Sequence, residues 1–373
     1  MIYIALIITI SYLALIGLFI WGFDNVNDFR LQDIRPETTF SVVVPFRNEA
    51  HNLPSLLQSI ETLVYPKHLF EIIFVDDDSL DESVEIIQRS LATSRNNIRI
   101  IKNKRTTNSP KKDAITTAIK QAKHHWIITS DADCILPKYW LDSFDAFIQQ
   151  TGSKCVVAPV KYNTDHTFLN QFQALDLLSL QGVTIGGFGI KKPLLCNGAN
   201  LGYEKALFLK LKGFDGNSNI ASGDDIFFLE KAIKHNPVHV NYLKCEKSTV
   251  STSPEVSWRL YIQQRVRWAS KTRAYNNLFG KLAGLVVLLM NSLVIGLLVL
   301  SCLELFNIKL LLYVLIIKFN IDLFLIYKSA SFFDQKVHLK GYWLSFIIYP
   351  LVSTYIGLIA MFGSYTWKDR TFK

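Results

Sequence analysis

Three long stretches of this chain carry no charged side chain: Ile2–Phe23, Leu282–Leu303 and Gly341–Trp367. A membrane-crossing helix needs roughly 20 apolar residues, so each is long enough to span. Leu310–Tyr327 is nearly as apolar but holds Lys318 and Asp322. Those two are four apart, so they share one helix face and can pair. The expectation is four spans. The first lacks a basic leading region, and Trp21, Phe23 and Asp24 follow it instead of a small-residue cleavage pattern. It reads as an uncleaved anchor. The high apolar content excludes a disordered chain.

Lys and Arg near the span ends set the expected orientation. Arg30 and Arg35 follow the first span, Lys271, Arg273 and Lys281 precede the second, and Lys328, Lys336 and Lys340 lie between the third and fourth. All three groups fit one cytoplasmic side, with the central region inside. The tail cations Lys368, Arg370 and Lys373 then fall on the other side, which the rule disfavours. The formal charge is +9, from 40 Lys and Arg against 31 Asp and Glu. No nucleic-acid-binding motif accompanies it, so contact with anionic membrane lipids is the better account and no nucleic-acid partner is expected. The five cysteines (Cys134, Cys155, Cys196, Cys245, Cys302) form no CxxC pair and no zinc spacing, and read as reduced thiols.

Between about residues 38 and 250 the texture changes to that of a soluble α/β domain. Strands are expected at Phe40–Val44, Phe70–Val75, Ile98–Ile101 and Trp126–Thr129. Helices are expected at Leu53–Leu63, Asp81–Leu91 and Asp113–Lys123, with Ser79-x-x-Glu82 as a capping box. Alternating strands and helices imply a mostly parallel sheet covered on both faces, with ligands beyond the carboxyl ends of the strands. The expected division is an anchor over 1–23, an α/β domain over 38–250, an interfacial segment over 251–281 and a membrane region over 282–367.

Acidic residues follow two of the strands: Asp76, Asp77 and Asp78 after the second, Asp131 and Asp133 after the fourth. Any one of them alone is accounted for by a turn or a helix cap. Two clusters at one sheet edge repel each other unless a cation or hydrogen-bond donors offset the charge. Their hard oxygens suit Mg²⁺ or Mn²⁺, which also bind diphosphate. A third acidic pair, Gly223-Asp224-Asp225, precedes an apolar-rich helix at Ile226–Ile233 and can both cap it and face a substrate. Gln264-Arg265-Val266-Arg267-Trp268 lies in a basic, aromatic segment, which a membrane-surface helix also explains.

Together these residues resemble the family 2 glycosyltransferases, GT-A enzymes that use nucleotide-diphosphate sugars, over about residues 38–275. The membrane-bound branch of that family includes ceramide glucosyltransferase-like enzymes and polysaccharide synthases. Phe40-Ser-Val-Val-Val-Pro-Phe-Arg-Asn-Glu49 matches the opening strand and loop. Val75-Asp76-Asp77-Asp78 matches the second motif, with Asp78 where glycine is usual. Ser130-Asp131-Ala132-Asp133 matches the DxD motif. Gly223-Asp224-Asp225 stands at the ED-type motif, with Asp224 for the usual Glu. Gln264-x-x-Arg267-Trp268 matches QxxRW.

The resemblance implies a fold and a set of roles. The fold is an α/β GT-A domain flanked by transmembrane helices. Pro45, Glu49 and Asp77 would hold the nucleoside. Lys112 would serve as the donor-site lysine, with Lys111 able to substitute. Asp131 would contact the nucleotide or donor sugar, and Asp133 would ligate Mg²⁺ or Mn²⁺. Asp225 beside Asp224 would be the general base, Arg267 would neutralise the diphosphate, and Gln264 and Trp268 would sit near the acceptor. The implied donor is a UDP-linked sugar, and the implied acceptor a lipid or glycan at the cytoplasmic face of a bacterial-type inner membrane. The Gly-rich stretch from Gly182 to Tyr203 resembles the family's acceptor-side segment, and strand-and-turn structure explains it equally.

A phosphohydrolase of the HAD type would also begin with an apolar strand and DxD, but it leaves the second acidic cluster and QxxRW unexplained. A non-catalytic membrane scaffold would not need Asp133, Asp225 and Arg267 all to be present. Four spans are few for a polymer channel, which favours single addition to a lipid over a processive synthase.

Overall fold

The computed structural model of the chain describes residues 2–362 except 93, 95, 166, 219 and 221, together with two short segments, 365–367 and 370–372. The side chains of Arg273 and of the tail, Lys368, Arg370 and Lys373 among them, lie outside the described residues. The chain divides into two compact units. One comprises residues 27–163 and 196–253, the other 1–26, 164–195 and 254–373.

Helix α1 (Ile2–Asn25) belongs to the second unit, and the α/β unit follows it in the chain. Strands β1 (Phe40–Phe46), β2 (Phe70–Asp76), β3 (Ile98–Lys102) and β4 (Trp126–Thr129) alternate with helices α2 (Leu53–Glu61), α3 (Ser83–Leu91) and α4 (Pro110–Gln121). After them come β5 (Cys134–Ile135), helix α5 (Trp140–Thr151), β6 (Cys155–Val157) and β7 (Val160–Tyr162). Among the described residues seven strands form one sheet. Its order is β3-β2-β1-β4-β8-β6-β9, where β8 is Leu201–Glu204 and β9 is Val240–Tyr242. The β3, β2, β1 and β4 pairings are parallel, and β8 runs antiparallel to both of its neighbours. A smaller sheet pairs β5, β10 (Val250–Thr252) and β7.

The expected strands are all present, because a β-branched run buried on both faces leaves its backbone no partner but another strand. Every residue of β2 is buried, and Phe40, Val42 and Val44 of β1 pack with Leu53, Leu56 and Ile60 of α2. The parallel register puts Phe46 opposite Asp76, so the segments after β1, β2 and β4 emerge at one sheet edge. The third helix starts later than expected, at Ser83, and Glu82 makes no side-chain cap. Asp81 caps instead: its Oδ1 accepts from the Ser83 amide at 3.1 Å, so the Ser79-x-x-Glu82 capping box is not formed.

The second unit contains α1, α6 (Phe168–Gly189), α9 (Trp258–Ser270), α10 (Leu278–Cys302), α11 (Ile308–Phe332) and α12 (Tyr342–Phe362). Among the described residues four segments are long and apolar enough to cross a membrane: Ile2–Asn25, Leu278–Cys302, Ile308–Phe332 and Lys336–Met361. Lys318 and Asp322 pair at 2.5 Å, and Tyr12 donates to Asp322 at 2.5 Å, tying α1 to α11. The Gly-rich stretch from Gly182 to Tyr203 differs from the strand-and-turn reading in its first part, while Gly198–Asn200 turns into β8 at Leu201. Gly182, Gly186, Gly187 and Gly189 lie in helix α6, not in strands and turns. A Cβ on Gly186 would stand 2.3 Å from the carbonyl oxygen of Phe19, and one on Gly22 would stand 2.2 Å from that of Gly186. Glycine lets the backbones of α1 and α6 touch, as small residues do where apolar helices cross. Residues 164–195 therefore leave the expected 38–250 domain and join the apolar helices.

Candidate active site

The carboxyl edge of the β3-β2-β1-β4 strands gathers the acidic motifs. The chain turns sharply after β2, and Asp78 adopts a left-handed φ of 58°. That conformation favours glycine, and Asp is among the few side chains that tolerate it, which accounts for Asp78 at a glycine position. The neighbouring Asp77 is nearly buried. Its carboxylate accepts from Arg105 Nε at 2.6 Å and Asn103 Nδ2 at 2.7 Å, and its carbonyl accepts from Arg47 at 2.6 Å. Arg105 also reaches Asp78 at 3.1 Å. Pro45 lies near the end of β1 beside Val75, with Phe46 ending the strand, and on the loop that follows Glu49 accepts from Asn52 at 2.7 Å.

Asp131 and Asp133 follow β4. Asp133 Oδ2 accepts from Thr252 Oγ1 at 3.1 Å. Burial, reinforced by the charges of Asp131 and Glu49, pushes the Asp133 carboxyl up to about 6. A half-buried carboxylate held near like charges is poised to take a cation. Among the described residues no group of three or more His, Cys, Asp or Glu side chains is arranged around a metal position. Mg²⁺ and its analogues commonly use one or two carboxylates and draw their other ligands from phosphate and water, and the Asp131–Asp133 pair fits that pattern.

Helix α8 (Asp224–His235) starts at Gly223, whose φ of 83° turns the chain so that Asp224 and Asp225 occupy its first turn. Both are favoured there by the helix dipole. The helix begins two residues before the expected Ile226. Asp225 accepts from the Gly198 amide at 3.2 Å and from the Ile226 amide at 2.7 Å. Gly198 is tied in turn to β4, because Thr129 Oγ1 donates to its carbonyl at 2.7 Å. The acidic pair on α8 is therefore held to the strand that leads into Asp131 and Asp133.

Lys111 joins these groups. Its Nζ lies 2.7 Å from Asp131 and 3.3 Å from Asp224. Burial alone would lower its pKa, but Asp131, Asp224 and Asp225 outweigh that and hold the ammonium well above the usual lysine range. Lys112 points elsewhere. It is 2% exposed and donates to the carbonyls of Asn217 at 2.7 Å and Ile220 at 2.9 Å. Of the two lysines weighed for the donor site, Lys111 is the one among the carboxylates.

With this geometry in place the comparisons are decisive. Residues 41–206 match the family described as glycosyl transferase family 2, and residues 126–361 match glycosyl transferase family group 2. The chain belongs to glycosyltransferase family 2. The poly(ribitol-phosphate) beta-N-acetylglucosaminyltransferase TarS of Staphylococcus aureus is 32% identical over 124 residues, 33% of this chain and 21% of that protein. An undecaprenyl-phosphate 4-deoxy-4-formamido-L-arabinose transferase of Pseudomonas savastanoi is 35% identical over 112 residues, 30% of this chain and 32% of that one. The chain thus spans a fifth to a third of the length of these relatives. A mannosyltransferase from Pyrobaculum calidifontis, solved with GDP-Man and Mn²⁺, shares the fold. Its TM-score is 0.56 at 16% identity, over 95% of this chain and 98% of that one.

The remaining motif residues, Gln264, Arg267 and Trp268, lie on α9 in the second unit. There Gln264 donates to Glu255 at 2.9 Å. The neighbouring Arg265 is buried, bonds Asp176 of α6 at 2.5 Å, and lies 4.1 Å from the Trp268 ring centre. Tyr261 donates to the same Asp176 at 2.7 Å.

Sequence reasoning missed Arg105, Thr252 and Asp176. Arg105 had a signal, since it follows β3 at the same sheet edge as Asp77. Thr252 and Asp176 had none, because their partners lie 119 and 89 residues away.

Proposed function

We propose that this chain transfers a sugar from a nucleotide-diphosphate sugar to a lipid acceptor at the cytoplasmic face of a membrane, inverting the anomeric centre. The observation that carries the reading is Lys111. It joins a carboxylate of the DxD motif to one of the acidic pair on α8, so cation, carboxylates and base meet at one sheet edge. A phosphohydrolase of the HAD type can use the acidic residues after β2 and the pair on α8, but it leaves Asp131, Asp133 and the QxxRW residues without a role.

Expulsion of a nucleoside diphosphate builds negative charge on the leaving oxygens. Mg²⁺ or Mn²⁺ held by Asp133 and Asp131 would supply Lewis-acid stabilisation of that charge. Lys111 adds a fixed positive charge in a partly water-excluded site, where it counts for more than in bulk water. Asp77, with Pro45 near the end of β1 and Glu49 on the loop that follows, holds the nucleoside, and Arg105 and Asn103 keep the Asp77 carboxylate oriented. Asp225 takes the acceptor hydroxyl proton as that oxygen attacks. Its bonds from the Gly198 and Ile226 amides fix its direction while leaving it lone pairs. One direct displacement inverts configuration and needs no covalent enzyme intermediate. The roles of Arg267 on diphosphate and of Gln264 and Trp268 at the acceptor rest on the QxxRW pattern.

Four apolar segments support a membrane setting. The arabinose transferase relative, named for an undecaprenyl-phosphate substrate, supports a lipid acceptor. UDP-linked sugars are the first donors to test, with GDP-linked sugars beside them. The experiment is a donor screen in detergent with Mg²⁺ or Mn²⁺ and native lipid extract, with the products sized. A single glycolipid upholds the reading, a polymer ladder replaces it with a processive synthase, and no turnover of any sugar nucleotide overturns it.

A further inference from the structure

Two lysines stand side by side at the start of α4, and only Lys111 faces the carboxylates. Lys112 is buried to the same degree as the hydrophobic core, yet an ammonium there requires acceptors. It finds them in the segment that leads into Gly223-Asp224-Asp225, at the carbonyls of Asn217 and Ile220. Its Nζ also lies 4.9 Å from the ring centre of Phe227, in the first turns of α8. The same segment is gripped from its other end. Lys231 of α8 donates to the carbonyls of Gly213 and Asp215, each at 2.7 Å. A Cβ on Gly223 would stand 2.6 Å from the Phe227 ring, so the turn that aims the two aspartates is packed against the ring Lys112 covers.

We infer that Lys112 is a positioning residue for the base: it clamps the segment before α8 and thereby sets where Asp224 and Asp225 point, while Lys111 alone serves the donor. The inference rests on the transferase reading for its catalytic consequence, not for the clamp itself. Residues 211–216 are built of turns, with φ of 55° at Lys212 and 86° at Gly216. Such a segment holds its shape through its backbone acceptors. A buried ammonium satisfies two of them at once and links them to α4, whose first turn also carries Lys111. Displacing a catalytic group by about 1 Å costs on the order of 10²-fold in rate, so the clamp has a kinetic signature.

The test compares Lys112→Met, Lys112→Gln, Lys112→Arg and Lys111→Gln with the wild type in the full-length protein. Three quantities are read: Mn²⁺-dependent binding of UDP and GDP, turnover of the donor the wild type uses, and amide hydrogen exchange over residues 212–226. Lys112→Met is expected to keep nucleotide affinity within about twofold and to lower kcat about 100-fold. It should speed exchange over 212–226 while leaving β1–β4 unchanged. Lys112→Arg should restore most of both losses, because it keeps the charge and the donors. Lys111→Gln should weaken nucleotide binding at least about tenfold, with exchange over 212–226 less affected. Lys112→Gln supplies the same readouts if the Met variant fails to fold. Loss of nucleotide affinity in Lys112→Met matching that in Lys111→Gln would overturn the inference, as would unchanged exchange over 212–226. If the wild type turns over no sugar nucleotide, the transferase reading falls, and the exchange data still decide the clamp.

Discussion

The two units bury charge in opposite ways. In the apolar-helix unit, charges are closed into ion pairs, each with a tyrosine hydroxyl on its carboxylate: Lys318 with Asp322 and Tyr12, and Arg265 with Asp176 and Tyr261. In the α/β unit, carboxylates are drawn to one sheet edge and only partly matched: Lys111 pairs with Asp131 and Asp224 and Arg105 with Asp77, while burial and the nearby Asp131 and Glu49 charges push Asp133 up to about 6. The closed sets suit a low-dielectric setting, where an unmatched charge costs several kcal/mol. The open set suits a site that expects a ligand to complete it. Where a charge sits in the fold thus matters less than whether its neighbours already neutralise it.

The strongest way to break this contrast is at the base. Asp225→Asn keeps the shape and removes the proton acceptor, and is expected to lower kcat by about 10²–10⁴-fold with folding and nucleotide binding intact. Equal turnover by the variant would remove Asp225 from the reaction. Next in size is the closed pair. Asp176→Ala strands the Arg265 guanidinium and should cost about 3–5 kcal/mol, read as a loss of thermal or denaturant stability in detergent. The double variant Asp176→Leu/Arg265→Met should recover most of that loss, and failure to recover would mean that the pair does more than neutralise itself.

The open set predicts the reverse response. The Asp133 carboxyl binds its proton more tightly folded than unfolded, where its value is near 3.8. The metal-free protein should therefore lose stability as pH rises from about 4 to about 6. Asp133→Asn should abolish that slope, raise the metal-free melting temperature by a few degrees, and remove the stabilisation that Mn²⁺ gives the wild type. The smallest effect is expected at the turn after β2. Asp78→Gly relieves a left-handed residue but loses an exposed contact to Arg105 and adds freedom to the unfolded chain, so stability should move by less than about 1 kcal/mol. A larger change would show that Asp78 shapes the Asp77 site.

Legibility in the sequence followed locality. Asp77, Asp131 and Asp133 were visible because a parallel sheet sends the ends of its strands to one edge, and an apolar run ending in Asp marks such an end. The choice between Lys111 and Lys112 was not visible. Adjacent helical residues point roughly 100° apart, and which one meets the carboxylates depends on where α4 begins and on a segment 105 residues further on. Gly186 and Gly189 misled for the same reason, since they pack against Phe19 and Gly22 of α1, a helix far away in the sequence.

By itself the sequence determined the long apolar segments, the strand–helix alternation and the order of the acidic motifs. Each of these is written in short-range periodicity, or in residue chemistry at strand ends. Only the tertiary structure decided which lysine faces the site, what holds Asp225, and to which unit α6 belongs. Those are set by close packing and buried hydrogen bonds between segments far apart in the chain, whose free energy depends on geometry that no local pattern encodes.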